Sequence, residues 1–127
     1  MCKQRHIVEL SLDRWQISPL LLRKLLLDSQ QQNEESSCVF RVLELTNCEI
    51  NNECCKVLAQ ALKTNTRLER IVLRKNKISD VGVNHLIGGV EEMSPQSVLQ
   101  WIDLEENEVD MDSATVKALN SLLRRDD

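Results

Sequence analysis

The chain has 127 residues, of which 42% are hydrophobic but only 2% aromatic, and its formal net charge is −4. This length suits a single domain (1–127) with an aliphatic core. Interspersed acidic and basic residues argue against a nucleic-acid or anionic-membrane partner. No apolar run reaches the roughly 18 residues of a membrane span, and we expect no signal peptide. Five cysteines without a disulfide-framework spacing predict reduced thiols in a cytoplasmic, intracellular protein.

One pattern of apolar positions occurs four times along the chain. Its copies are Ile7, Leu10, Leu12, Trp15, Ile17; Phe40, Leu43, Leu45, Cys48, Ile50; Leu68, Ile71, Leu73, Asn76, Ile78; and Leu99, Ile102, Leu104, Asn107, Val109. We call the first three positions and the last one anchors, and the fourth position the turn position. Apolar residues at alternating positions predict a strand in each copy. The units span approximately residues 6–38, 39–66, 67–97 and 98–127.

A helix is predicted after each strand. The residue that follows the last anchor is a favourable helix N-cap in every copy, namely Ser18, Asn51, Ser79 and Asp110. Apolar residues with helical spacing come next: Leu21, Leu22, Leu25, Leu26; Val57, Leu58, Ala61, Leu62; Leu86, Ile87, Val90; and Ala114, Ala118, Leu119, Leu122. Pro19 suits a first helical position. The chain is therefore expected to repeat a strand-then-helix unit.

The segments between units differ in length. The polar stretch from Asp28 to Ser37 and the shorter stretch from Glu91 to Ser97 are predicted to be loops, and Pro95 bars helix continuation in the second. Residues 63–66 form a compact connection in which Asn65 suits a left-handed helix exit.

The repeated pattern resembles the leucine-rich-repeat template, L-x-x-L-x-L-x-x-N/C-x-L, in the form of the ribonuclease-inhibitor-like subfamily. The segments that carry the resemblance are LERIVLRKNKISDVGVNHL at residues 68–86 and LELTNCEINNECCKVLAQAL at residues 43–62. The resemblance covers about Ile7 to Leu123. It implies an α/β solenoid of four units with a parallel sheet on the concave face and helices on the convex face. Trp15 departs from the turn asparagine, and Cys54, Leu21 and Ser113 stand where unit three has Gly82.

Members of this subfamily serve as binding scaffolds in immune receptors, actin caps, GTPase-activating proteins and ciliary assemblies. The resemblance therefore implies a protein–protein interaction scaffold or assembly subunit, alone or within a larger complex. The alternatives are a regulator of a GTPase, for which Arg14 and Arg74 are candidate arginines, and a structural subunit of a cytoskeletal or ciliary complex.

Little in the sequence supports catalysis, a cofactor or a metal. His6 and His85 are the two histidines, and neither lies near a nucleophile motif. Gly88 and Gly89 lack the lysine of a phosphate-binding loop. Cys54 and Cys55 are adjacent rather than spaced for zinc, so small buried thiols are the better account of Cys48 and Cys54. We expect no enzyme, no cofactor and no metal site.

The concave face is the first candidate for partner binding. Side chains alternate along a strand, so the residues between the anchors point to this face. The candidates are Trp101, Arg70, Arg74, Val72, Val42, Glu44 and Glu105. Asp103 and the post-strand residues Lys75 and Glu106 are placed there as well. In the simpler alternative the charges satisfy one another across neighbouring strands, with Arg74 beside Glu105 and Lys75 beside Glu106.

The N-terminal end of the solenoid is the second candidate. The predicted first helix carries leucines on more than one face, and only six residues precede the first anchor, which is too little chain to cover the end. Leu21, Leu22 and Leu25 would then contact a partner, another copy, or the rest of a longer protein.

Overall fold

The structure is a computed structural model that describes residues 7–26, 39–64, 67–93 and 95–123. Strands and helices alternate along the chain, as predicted. Their order is β1 (Ile7–Asp13), α1 (Pro19–Leu26), β2 (Val39–Thr46), α2 (Asn52–Thr64), β3 (Arg70–Val72), α3 (Asp80–Glu91), β4 (Trp101–Asp103) and α4 (Ala114–Leu123). No helix in these ranges is long and apolar enough to cross a membrane.

The four strands form one parallel sheet in the order β1-β2-β3-β4. Equivalent positions of the units lie side by side, because the register pairs Leu10 with Leu43, Leu43 with Ile71, and Ile71 with Ile102. Strand β1 pairs with β2 through a register shift at Val8 and Glu9. The repeat in the sequence is therefore also a repeat in space, one unit per strand, and the solenoid predicted from the sequence is confirmed.

An aliphatic core lies between the sheet and the helices. The strand anchors Leu43, Leu45, Ile71 and Ile102 are at most 4% exposed, and the helices contribute residues such as Leu58 and Leu86 at 0%. Leu10 and Leu12 are only partly buried, because β1 has a neighbouring strand on one side alone. Burial of these side chains is the dominant favourable term for the fold.

The turn positions join each unit to the one before it. The Asn76 side chain accepts hydrogen bonds from the backbone N–H groups of Cys48 (2.8 Å) and Ile50 (2.9 Å) and donates to the Leu45 carbonyl (2.8 Å). Asn107 repeats this arrangement one unit later, accepting from the N–H of Ile78 at 3.0 Å. These amides satisfy backbone groups that would otherwise be buried without partners.

The residue before each turn position has a left-handed backbone, with φ between 56° and 69° at Arg14, Asn47, Lys75 and Glu106. Asn47 is the one member of this set whose residue type favours that conformation. The turn geometry is therefore imposed by packing of the units rather than by local preference.

Three of the four predicted helix caps are confirmed. Ser18 Oγ accepts from the Leu21 N–H (3.1 Å), Asn51 Oδ1 from the Cys54 N–H (3.0 Å), and Ser79 Oγ from the Val81 N–H (3.3 Å). Pro19 occupies the first position of α1.

The prediction for Asp110 is wrong. Its carboxylate accepts from the Asp112 N–H and its carbonyl from the Ser113 N–H, so the chain makes one tight turn before α4. Ser113 caps the helix instead, accepting from the Val116 N–H at 3.2 Å. The predicted apolar face of α4 is also corrected: Ala114 and Ala118 are exposed, whereas Val116, Leu119 and Leu123 are buried.

The predicted connections are only partly covered by the described residues. The loop from Asp28 to Ser37 and the exit at Asn65 lie outside them. Helix α2 continues through Thr64, so Lys63 belongs to the helix rather than to the connection. Helix α3 ends at Glu91, where the second loop was predicted to begin.

Candidate functional site

The concave face carries an aromatic and cationic pair at its β3–β4 side. The sheet register places Arg70 beside Trp101, and the Arg70 guanidinium lies 5.3 Å from the centroid of the Trp101 ring. Trp101 is 51% exposed, and the half-buried Val42 and Val72 are neighbours of the pair in the sheet. A guanidinium at this distance stabilises an exposed indole by roughly 0.5–1 kcal/mol. We call these four residues the Trp101 patch.

Charged residues at the end of β4 and just after β3 and β4 pair with each other, which is the simpler of the two alternatives drawn from the sequence. Arg74 Nε lies 2.7 Å from Asp103 Oδ2, and its Nη2 lies 3.5 Å from Glu105 Oε1. Lys75 Nζ lies 4.0 Å from Glu106 Oε1. The hydrogen bond and charge of Asp103 raise the pKa of Arg74 above its usual value. For Arg74 and Glu105, the simpler alternative of mutual satisfaction therefore describes the geometry.

The predicted position of Asp103 on the open concave surface is wrong. It is only 6% exposed, because Arg74 covers one carboxylate oxygen and the other accepts from the Glu105 N–H at 3.1 Å. A buried carboxylate needs such partners to offset its lost hydration. Asp103 therefore helps hold the turn after β4.

The β1–β2 side of the face is polar. The Ser11 hydroxyl donates to Glu44 at 3.3 Å, and Arg41 lies 3.1 Å from Glu9 and 3.9 Å from Glu69. The side chains of the two ion pairs are 39–58% exposed, so each ion pair contributes at most about 1 kcal/mol. Glu44, one of the predicted contact residues, already has a hydrogen-bond partner within the sheet.

The leucines that α1 exposes at the N-terminal end are not all those predicted. Leu22 is wrong as a contact residue, because it is 0% exposed, and Leu25 packs partly buried against the core. Leu21 is 38% exposed, and Leu20, which the sequence analysis did not select, is 64% exposed. The spacing of four residues between Leu22 and Leu26 was the available signal, since it marks the buried face of α1.

Trp15 was also not selected as a candidate. It occupies the turn position of unit one and is 56% exposed. The residues at the turn positions of the other units, Cys48, Asn76 and Asn107, each donate a hydrogen bond to a carbonyl of the preceding unit. The chain thus has two exposed tryptophans, one at the concave face and one at the N-terminal end.

The cysteines of unit two are structural. Cys48, Cys54 and Cys55 are 0% exposed, which confirms the predicted buried thiols at Cys48 and Cys54. Burial raises the pKa of all three thiols, that of Cys55 to about 12, so they are poor nucleophiles. Within the described residues, no three metal-ligating side chains cluster together.

Comparison with known proteins identifies partial relatives. No protein-family model matches the chain. It is similar to the NACHT, LRR and PYD domains-containing protein 3 of Rattus norvegicus, with 28% identity over 99 residues, which is 75% of this chain and 9% of the relative. It is also similar to the ribonuclease inhibitor of Sus scrofa, with 29% identity over 92 residues, 72% of this chain and 19% of the relative. The chain spans less than a fifth of the length of these two relatives.

A solved structure, leiomodin-1 actin-binding site 2, shares the fold. Its TM-score is 0.66 at 13% sequence identity, and the match covers 98% of this chain and 84% of that chain. The stacked anchors, the turn asparagines and these relatives agree with one another. The chain has the leucine-rich-repeat fold and is similar to the ribonuclease inhibitor and to the NACHT, LRR and PYD domains-containing proteins.

Proposed function

We propose that this chain is a protein–protein interaction module, a scaffold or assembly subunit without catalytic activity of its own. It binds another protein through the concave face, at the Trp101 patch. The exposed indole of Trp101 beside Arg70 carries the proposal, because Trp and Arg are the residue types that most often dominate interface energetics.

The charges around the patch support this choice of surface. Arg41, Arg74 and Lys75 each lie within 4.0 Å of a carboxylate. Among the described residues, Arg70 has no carboxylate partner, and its contact is the Trp101 ring. An acidic group of a partner can therefore pair with Arg70 while an apolar group covers Trp101 and Val72.

Two similar proteins carry names that refer to protein partners. The ribonuclease inhibitor is named for ribonucleases, and the leiomodin segment for actin. A protein partner for this chain follows by analogy and remains part of the proposal.

Competing roles have weaker geometric support. A GTPase regulator needs a presented arginine, but Arg74 is held by Asp103 and Glu105. Arg14 is exposed, yet its left-handed backbone serves the turn after β1. A cytoskeletal or ciliary subunit is one setting in which the proposed module could work.

The test is quantitative affinity capture with four baits: the wild-type chain, Trp101→Ala, Trp15→Ala, and Leu20→Glu combined with Leu21→Glu. The two tryptophans have similar exposure, 51% and 56%, so Trp15→Ala is a matched control for loss of an exposed indole. We expect Trp101→Ala to reduce partner recovery by about tenfold or more, as for an interface hot spot. Recovery with Trp15→Ala should stay close to that with wild type.

The opposite pattern would contradict the proposal. If Trp101→Ala retains the partner and Leu20→Glu with Leu21→Glu loses it, the N-terminal end is the interface. Retained far-UV circular dichroism is required of every bait, so that loss of fold is not mistaken for loss of contact.

A further inference from the structure

Two opposite charges lie unpaired on the concave face, one within the Trp101 patch and one beside it. The charged residues of β2, β3 and β4 are Arg41, Glu44, Arg70 and Asp103. Arg41 lies 3.1 Å from Glu9, and Asp103 lies 2.7 Å from Arg74. Among the described residues, Glu44 and Arg70 have no such partner, and their contacts are the Ser11 hydroxyl and the Trp101 ring.

The two unpaired residues are diagonal neighbours in the sheet. The register pairs Val42 with Arg70 and Glu44 with Val72, so the two charges and the two half-buried valines occupy alternate corners of a four-residue block. Diagonal neighbours on adjacent strands are roughly 7–8 Å apart, which is within reach of long side chains. Arg70 contacts the Trp101 ring instead, at 5.3 Å from its centroid. The centre of the face therefore presents a cation and an anion on either side of apolar side chains.

Both charged groups can accept a further partner without losing their present contacts. A guanidinium carries five N–H donors in one plane, and a contact with an aromatic ring leaves donors free for a carboxylate. Glu44 Oε1 accepts from the Ser11 hydroxyl at 3.3 Å, and a carboxylate offers about four acceptor sites. The site can thus bind one anionic and one cationic group at the same time.

The cost of removing water from these charges decides what a partner must carry. A partner that covers Val72 and Trp101 also covers Arg70 and Glu44, and a charge that loses its hydration without a partner is destabilising. An apolar segment would leave both charges unpaired. An acidic segment would place a like charge beside Glu44, and a basic segment would place one beside Arg70. A segment with one side chain of each sign pairs with both.

We infer that the concave face binds a segment of a partner protein that carries an acidic and a basic side chain with an apolar side chain between them. The acidic group pairs with Arg70 and the basic group with Glu44, while the apolar group covers Val72. Two unlike charges at fixed places also set the direction in which the segment crosses the sheet. This inference rests on the proposed function and deepens it, because it makes Glu44 a specificity-determining residue.

The test begins with a phage-displayed library of random dodecapeptides, which is selected on the immobilised wild-type chain. We expect the enriched peptides to carry one acidic and one basic residue with an apolar residue between them. Their affinities for the wild-type chain and its variants are then measured by fluorescence anisotropy of labelled peptides. Every variant must retain the far-UV circular dichroism of the wild type.

Charge reversal on the chain tests each proposed pair separately. Glu44→Arg and Arg70→Glu should each weaken binding of the enriched peptides by about tenfold or more. The matched control is Glu91→Arg, which reverses an exposed charge at the end of the convex helix α3. Because a cation is favourable at a helix C-terminus, this control should retain the fold, and it should change binding by less than about twofold.

A compensating exchange tests the pair at Glu44 most sharply. Replacing the basic residue of an enriched peptide by glutamate should weaken its binding to the wild-type chain by about tenfold. The same peptide should bind Glu44→Arg about tenfold more tightly than it binds the wild type, since the exchanged charges attract again.

The inference is overturned if no peptide is enriched, if the enriched peptides lack the charge pair, or if Glu44→Arg leaves their binding unchanged. Trp101→Ala separates this failure from failure of the proposed function. Peptides that bind Trp101→Ala weakly and Glu44→Arg normally occupy the patch without contacting Glu44, so this inference alone fails. Peptides that bind both variants normally would contradict the proposed function as well. Self-association of the wild-type chain in sedimentation velocity, abolished by Glu44→Arg, would make a second copy the occupant and overturn the inference of a partner protein.

Discussion

Two adjacent glycines in α3 have opposite surroundings and allow a sharp test of the packing between α2 and α3. A Cβ atom added at Gly89 would lie 2.7 Å from Ala59 Cα and 2.8 Å from the Ala59 carbonyl oxygen. These are backbone atoms of α2, so they cannot move aside without moving the helix. Apart from its chain neighbours and the backbone of α3 itself, a Cβ added at Gly88 has no heavy atom of the described residues within 4 Å.

The expected magnitudes follow from this geometry. Replacing a helical glycine by alanine gains roughly 0.5–1 kcal/mol of intrinsic helix stability at either position. Forcing a methyl group into a packed helix contact costs roughly 1–3 kcal/mol. We therefore predict that Gly88→Ala raises the free energy of unfolding by about 0.5–1 kcal/mol. The propensity gains cancel between the two variants, so Gly89→Ala should be less stable than Gly88→Ala by roughly 1–3 kcal/mol.

The assay is urea denaturation followed by far-UV circular dichroism, with the midpoints compared at equal m-values. If Gly89→Ala proves as stable as Gly88→Ala, the close approach of α3 to the Ala59 backbone is absent, and the stacking of units two and three would have to be revised.

Three further predictions concern the core, the turn and the thiols, and each is read from denaturation midpoints. Leu73→Ala should lower the free energy of unfolding by roughly 2–5 kcal/mol, because Leu73 is 0% exposed. Val81→Ala, at a 55% exposed position, should lower it by less than about 0.5 kcal/mol. Equal losses for the two variants would refute the strand register. Asn76→Ala should lower the free energy of unfolding by roughly 2–4 kcal/mol, because it leaves two buried N–H groups and a carbonyl without partners. A loss below about 0.5 kcal/mol would show that the Asn76 side chain does not stabilise the turn. Burial raises the pKa of Cys55 from 9.0 to about 12, so the unfolded chain loses this proton first and stability should fall between pH 9 and 12. Cys55→Ala should show a shallower fall, and an unchanged slope would contradict the raised pKa.

The strand anchors were predictable from the sequence because their inward direction follows from an alternation of two residues. Leu43, Ile71 and Ile102 occupy equivalent places in neighbouring strands, so one unit predicts the next. Ser18, Asn51 and Ser79 were predictable as caps for the same reason, since each has a fixed offset from the last anchor. Asp110 has that offset too, but its carboxylate and carbonyl accept hydrogen bonds from Asp112 and Ser113 within a local turn instead of capping the helix.

The candidate site was only partly predictable, because exposure depends on neighbours in space. The pairing of Arg74 with Glu105 followed from the register, but the burial of Asp103 beneath Arg74 did not. The four-residue spacing of Leu22 and Leu26 marked the buried face of α1, but the exposure of Leu20 and Leu21 depends on how the helix packs against the core.

The central claim is that a protein partner sits on the concave face, and site-specific photo-cross-linking tests it most directly. The cross-linking residue p-benzoylphenylalanine replaces Val72 at the Trp101 patch in one sample, and the exposed Asn84 on the convex helix α3 in another. We expect a covalent adduct with the captured partner from position 72 and little from position 84. Adducts formed from position 84 and not from position 72 would contradict it.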